Sequence, residues 1–148
     1  MALQKDLREF LNSLNSRGAE YLIVGAYAVA YYGFPRLTGD LDLLVNRAEC
    51  NAECVAAAIE EFSAGSIRFD PRKLCEPDRM LRIGMEPNRV DILTSISGVE
   101  FAEAWPDREG AVLDGVPVAY ISRRHLLQNK MSTGRSKDLA DVEELTKE

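Results

Sequence analysis

The sequence has a single histidine, His125, only three cysteines, and no apolar run that approaches membrane-spanning length. Each scarcity closes off a class of chemistry. A multi-histidine metal centre is excluded, and a Ser-His-Asp arrangement would have to be built around that one imidazole. Cys50, Cys54 and Cys75 are odd in number and lack zinc-site spacing, so they read as reduced structural thiols. Positive charge is in the minority, with 18 Lys and Arg against 24 Asp and Glu and a net charge of −6. Non-specific affinity for nucleic acid comes mostly from phosphate neutralisation by Lys and Arg, so the surface as a whole is unsuited to it. Any polyanion must meet a local basic patch, and Arg123, Arg124, Lys130, Arg135 and Lys137 gather near the C-terminus. The opening MALQKDLREFLNSL carries Lys5, Asp6, Arg8 and Glu9 where a signal peptide needs an apolar stretch. The expectation is a cytoplasmic protein with no membrane association.

What is present fits one ordinary domain. The 148 residues are 46% apolar and 28% charged, enough for a single core over residues 1–148. Leu3, Leu7, Phe10, Leu11 and Leu14 recur at helical spacing and predict an opening amphipathic helix that ends near Asn15 to Gly18. Tyr21 to Val24 is a short apolar strand that stops at Gly25, and a short helix follows to about Tyr32. Gly33-Phe34-Pro35 breaks that helix. A second strand runs from Asp40 to Val45, and Asn46 is placed to cap a helix from Arg47 to about Phe62. Met80 to Met85 and Arg89 to Ser95 read as an antiparallel pair across Glu86-Pro87-Asn88. Glu100 to Trp105 suits a short helix, and Asp114-Gly115 signals a hairpin between Ala111 to Leu113 and Val116 to Tyr120. Ser122 should cap a helix from Arg123 to about Met131, and a last helix follows Gly134, from Lys137 to Leu145. Ser63 to Arg79, rich in Pro, Asp and Arg, reads as a mobile loop. The class is α+β.

Two aspartates interrupt the second strand. In TGDLDLLV, residues i and i+2 of a strand share a face, so Asp40 and Asp42 project together while Leu41 and Leu43 point to the other side. Ionised carboxylates that close repel each other unless a cation lies between them or a basic group neutralises them. A solvated strand end, or pairing with Arg36 or Arg89, would also satisfy them. Asp91, inside the apolar run RVDIL, adds a third acid. If the two strands are neighbours, three carboxylates converge, which suits hard divalent cations bound through oxygen. Two such ions, about 3.5–4 Å apart, could hold the attacking and leaving oxygens of a phosphoryl transfer. Val24-Gly25-Ala26 adds a strand-to-helix turn at which a phosphate could approach closely. Arg36 and Thr38 lie just before the acid pair and are candidate phosphate contacts, although a solvated loop fits them equally. Tyr27, Tyr31 and Tyr32 read as packing residues, and Trp105 and His125 as structural.

The block IVGAYAVAYYGFPRLTGDLDLLV, then RVDIL, then KMSTGRSKDLADVEEL resembles the nucleotidyltransferase superfamily with the DNA polymerase β-like fold. The resemblance runs from about Tyr21 to Leu145, and its nearest form is that of small bacterial proteins related to the abortive-infection, type IV toxin nucleotidyltransferases. It implies a mixed sheet with flanking helices and a C-terminal helical segment. It implies two Mg2+ or Mn2+ ions, with Asp40 and Asp42 holding both and Asp91 holding one while helping to activate an acceptor hydroxyl. The glycine motif falls on Gly25 and Ala26, Lys130 matches a basic residue that contacts the triphosphate, and Lys137-Asp138-Leu139-Ala140-Asp141 matches a terminal K-D-x-x-D signature. The family usually places a second glycine or a serine where this chain has Ala26, so Tyr27, Arg36 or Thr38 would have to take over that contact. The implied activity is transfer of a nucleoside monophosphate from an NTP to an acceptor hydroxyl or phosphate on tRNA or other RNA, protein or a small molecule, with release of pyrophosphate. A toxin–antitoxin or phage-defence role, with a homodimer or a cognate partner protein completing the acceptor surface, belongs to the same expectation. The alternative is a nucleotide-binding or partner-binding protein that keeps the fold and has lost turnover.

Overall fold

The computed structural model describes residues 5–33, 40–85 and 88–147. Helix α1 (Lys5–Ser16) buries Leu7, Phe10, Leu11 and Leu14, the stripe its spacing predicts. Strand β1 (Tyr21–Val24) is buried along its whole length and runs directly into the short helix α2 (Gly25–Tyr31). Strand β2 (Asp40–Val45) is followed by helix α3 (Glu49–Phe62), then the hairpin of β3 (Met80–Ile83) and β4 (Arg89–Leu93). A short helix α4 (Phe101–Ala104), the hairpin of β5 (Glu109–Leu113) and β6 (Val116–Tyr120), and helices α5 (Arg123–Thr133) and α6 (Ser136–Leu145) complete the order. No helix among the described residues is long and apolar enough to cross a membrane.

The six strands form one sheet in the order β3-β4-β2-β1-β6-β5. Strands β2 and β4 pair in parallel, as do β1 and β6, and the other neighbours are antiparallel. This is the mixed sheet with flanking helices expected of an α+β chain. The parallel β2 to β4 pairing requires a long crossover, and α3 supplies it. Alternation then sorts the two faces. Tyr21, Ile23, Leu43 and Val45 share one face, on which Tyr21 donates its hydroxyl proton to Asn15 of α1. Phe10 and Phe62 meet edge to face at 5.2 Å where α1 packs on α3. The opposite face carries Val24, Asp42 and Asp91 in successive strands.

Some boundaries differ from expectation for local reasons. Helix α3 begins at Glu49 with Ala48 as its N-cap, because the Asn46 side chain accepts from the Ala48 amide at 3.0 Å and acts just outside the helix. The stretch expected to be a mobile loop contains a 3-10 turn at Pro71–Cys75, begun by the Asp70 side chain accepting from the Arg72 amide and anchored by buried Leu74. Three polar residues brace the entry to β2 and α3. Buried Asn51 accepts from the Glu20 amide at 2.6 Å and donates to the carbonyls of Glu20 and Asn46. All the hydrogen bonds that amide needs are made within the fold, so its burial costs little. The three cysteines are free thiols, and Cys50 is exposed, so it contributes nothing to packing.

Candidate active site

Parallel pairing places Asp42 directly beside Asp91, with Asp40 beside Arg89 at the start of the same ladder. The sequence-predicted acids are therefore brought together across two strands that are distant in the chain. Their surroundings leave Asp42 short of positive charge. Burial, then the charges of Asp91 and Asp40, push its carboxyl up to about 7, while Lys130 acts in the opposite direction. The outer two acids are held by arginines: Arg82 forks onto Asp91 through Nε at 2.8 Å and Nη2 at 3.1 Å, and Arg89 reaches Asp40 at 2.5 Å. Among the described residues, no three His, Cys, Asp or Glu side chains already form a group arranged around a metal position. Each outer carboxylate instead points at a guanidinium.

Gly25 is the second half of the site. Its φ is +69°, and a Cβ built there would lie 2.2 Å from Asp42 Oδ2. Only glycine lets the β1 to α2 turn come this close to the carboxylate. A cavity of about 510 Å3 opens at this point, lined by Gly25, Ala26, Asp40 and Asp42 on one side and by Lys130, Arg135 and Lys137 on the other. Asp91 sits behind the lining, only 5% exposed. Ser95, Ser97 and Asn129 form a polar stretch of the cavity wall. It is fixed by Asn129 donating to the Ser97 carbonyl at 2.9 Å and Gln128 to the Gly98 carbonyl at 2.6 Å. A more open groove of about 670 Å3 on α5, lined by Leu127 and Met131, includes none of the three acids.

The C-terminal helices deliver the cationic side. Lys130 is buried on α5, with its Nζ 3.1 Å from Asp138 and 3.0 Å from Asp141 of α6. Asp138 also accepts from Thr133 at 2.6 Å and from Arg135 at 2.7 Å. Burial opposes ionisation there, but these hydrogen bonds together with Lys130 bring its carboxyl down to about 2. Much of the basic patch read from the sequence is spent on internal pairs, since Arg123 donates to the Leu145 carbonyl and Arg124 to Asp107. Lys137 is exposed, lines the cavity and makes no ion pair among the described residues.

Other assignments fall into place. Arg36 and Thr38 lie outside the described residues. Tyr27 is buried, Tyr31 stacks on Tyr120 at 4.0 Å, and Tyr32 donates to the Ile121 carbonyl, so all three act in packing. Trp105 stacks on Phe101 beneath Arg108, and buried His125 lies 2.8 Å from the hydroxyl of the capping Ser122. Arg82 and the hydroxyl wall were missed by sequence reading. The signal for Arg82 was its place in the β3 to β4 hairpin, where the register sets it opposite Asp91.

Comparison with known proteins agrees with this arrangement at the level of fold. A solved structure from Thermotoga maritima, described as a candidate nucleotidyltransferase, superposes with a TM-score of 0.61 at 15% identity, covering 93% of this chain and 88% of that one. The chain has the nucleotidyltransferase fold. An antigenic nucleotidyltransferase-like protein from Paracoccidioides brasiliensis shares the fold with a TM-score of 0.54 at 14% identity, covering 97% of this chain and 77% of that one. No protein-family model matches the chain, and no curated protein does either. In the nucleotidyltransferase fold of this chain, the β1 to α2 turn, the paired acids of β2 and the buried acid of β4 meet at one end of the sheet.

Proposed function

We propose that the chain is a metal-dependent nucleotidyltransferase that moves a nucleoside monophosphate from an NTP to an acceptor hydroxyl or phosphate and releases pyrophosphate. The observation that carries this reading is the row of Asp42 and Asp91 beside the Gly25 turn, two carboxylates side by side on adjacent strands of the sheet. The donor set fits a hard divalent cation such as Mg2+ or Mn2+. It is all oxygen, it is packed tightly enough that only glycine fits beside it, and its central carboxyl is raised by burial and by the neighbouring acids. When bound, such an ion polarises a phosphoryl oxygen and stabilises charge developing in the transition state.

The chain's own residues do the rest. Asp40 and Asp42 would hold the ion, and Asp91, beside Asp42 and behind the cavity lining, would favour loss of the acceptor hydroxyl's proton. Gly25 and Ala26 leave room for phosphate oxygens against backbone, and Lys130, Arg135 and Lys137 line the far wall, where the charge of a triphosphate needs to be offset. Phosphoryl transfer depends mainly on such positioning and electrostatics. The acceptor surface extends outside the cavity, on RNA, protein or a small molecule, and a second copy or a cognate partner of a defence system would complete it.

The decisive experiment is transfer of label from each α-labelled NTP into RNA, protein and small-molecule fractions, with Asp42→Ala as the control. Label in one fraction that is absent from the variant is expected. A second reading, nucleotide binding without turnover, is favoured by the arginine fork on Asp91. Tight binding of metal and NTP with no label in any fraction would replace the first reading with the second.

A further inference from the structure

Arg82 lies on β3, the edge strand of the sheet, directly opposite Asp91, which in turn lies beside Asp42. One face of the sheet thus presents a guanidinium, a carboxylate and a second carboxylate in a single row, ending at the Gly25 turn. The Arg82 side chain is 49% exposed while that of Asp91 is 7% exposed, so the charge of the buried acid is met from the solvent side. The contact is a two-point fork that engages both oxygens of Asp91. A fork of this kind is among the strongest and most directional of ion pairs. It occupies part of the coordinating capacity of each oxygen and sets a permanent positive charge beside any ion that would share Asp91. Asp42, one strand further in, makes no ion pair among the described residues and has Asp91, Asp40 and, with opposite charge, Lys130 around it, while Arg89 meets Asp40 through an Nη2 to Oδ2 contact rather than a fork.

We infer that Arg82 takes the place of a second metal ion, so that the site binds a single divalent cation on Asp40 and Asp42. This rests on the metal-dependent reading above and departs from the two-ion arrangement that the family resemblance implies. Arg82 is then a positioning residue. It fixes the orientation of Asp91 beside Asp42 and supplies fixed charge behind the cavity lining, and it touches neither the NTP nor the reacting atoms. An arginine can do this at an edge strand because its planar fork holds one geometry, whereas a hydrated ion needs several further ligands.

The test is manganese electron paramagnetic resonance, with inorganic tripolyphosphate present to supply the phosphates of an NTP without a base. Wild type, Arg82→Met and Arg82→Lys are compared after each is shown to melt cooperatively. The expected result is a mononuclear spectrum in wild type, a spin-coupled pair in Arg82→Met with twice the bound manganese per chain, and a mononuclear spectrum in Arg82→Lys, which keeps the charge. A coupled pair in wild type overturns the inference while leaving the metal-dependent reading intact. A single ion in Arg82→Met, or a pair in Arg82→Lys, also overturns it. No protein-bound manganese in any of the three overturns both.

Discussion

Asp42 and Asp138 line the same cavity, and the protein moves their carboxyls in opposite directions, to about 7 and to about 2. Burial pushes both upward. The difference lies in what the surroundings supply. Asp138 receives Lys130, Arg135 and the Thr133 hydroxyl, while Asp42 faces two further carboxylates. One aspartate has its charge met within the fold, and the other lies among like charges. A buried acid is therefore diagnostic of a site only when its partners are counted along with its exposure.

The sharpest way to break the comparison is to remove the cation from the completed side. Lys130→Met takes the shared cation from Asp138 and Asp141, whose side chains are 2% and 3% exposed. Denaturant unfolding should show a loss of about 3–5 kcal/mol. A loss below about 1 kcal/mol would mean that solvent reaches these acids after all.

Gly25→Ala comes next in size. It forces a side chain into the left-handed region and against Asp42 Oδ2, so a loss of about 1–3 kcal/mol is expected, together with weaker magnesium-dependent thermal stabilisation. Unchanged stabilisation by magnesium would separate the turn from the carboxylate.

The pH-dependent effects carry opposite signs. In metal-free protein, the raised Asp42 carboxyl contributes stability that is complete below its ordinary value near 3.9 and is lost as the pH rises through about 7. Asp42→Asn should therefore be more stable than wild type at about pH 8, by about 1–3 kcal/mol, and should lose the benefit of added magnesium. The depressed Asp138 carboxyl contributes stability that is present above its ordinary value and is lost as the pH falls through about 2. Asp138→Asn should therefore be less stable than wild type at neutral pH, with the difference narrowing in acid. Unfolding curves across pH in a chelator test both. Parallel pH profiles for wild type and Asp42→Asn would remove the claim that burial and the neighbouring acids hold the Asp42 carboxyl up.

Much of this was legible in the sequence because strand alternation is unambiguous where apolar residues surround a charge. Leu41 and Leu43 fix the face of Asp40 and Asp42, and Val90 and Ile92 fix that of Asp91. The Asp114-Gly115 hairpin was equally plain, and both residues have positive φ in the structure. What escaped depended on distance and register. The cationic cluster near the C-terminus looked like a surface patch, and only tertiary packing turns Lys130 and Arg123 onto internal acceptors, while Arg124 pairs with Asp107 at the surface. Ser63 to Arg79 lacks a periodic stripe because Leu74 alone anchors its short turn.

The same registers set the order in which the protein can assemble. Arg82 and Asp91 are 9 residues apart, whereas Asp40 and Arg89 are 49 apart. A hairpin closes in about 1–10 μs, and pairings between remote strands form more slowly. That order would bring Asp91 to the growing sheet already escorted by a countercharge, and β2 would dock its own acids against a strand whose charge is screened. An edge-strand arginine thus eases a folding step that would otherwise press two bare carboxylates together.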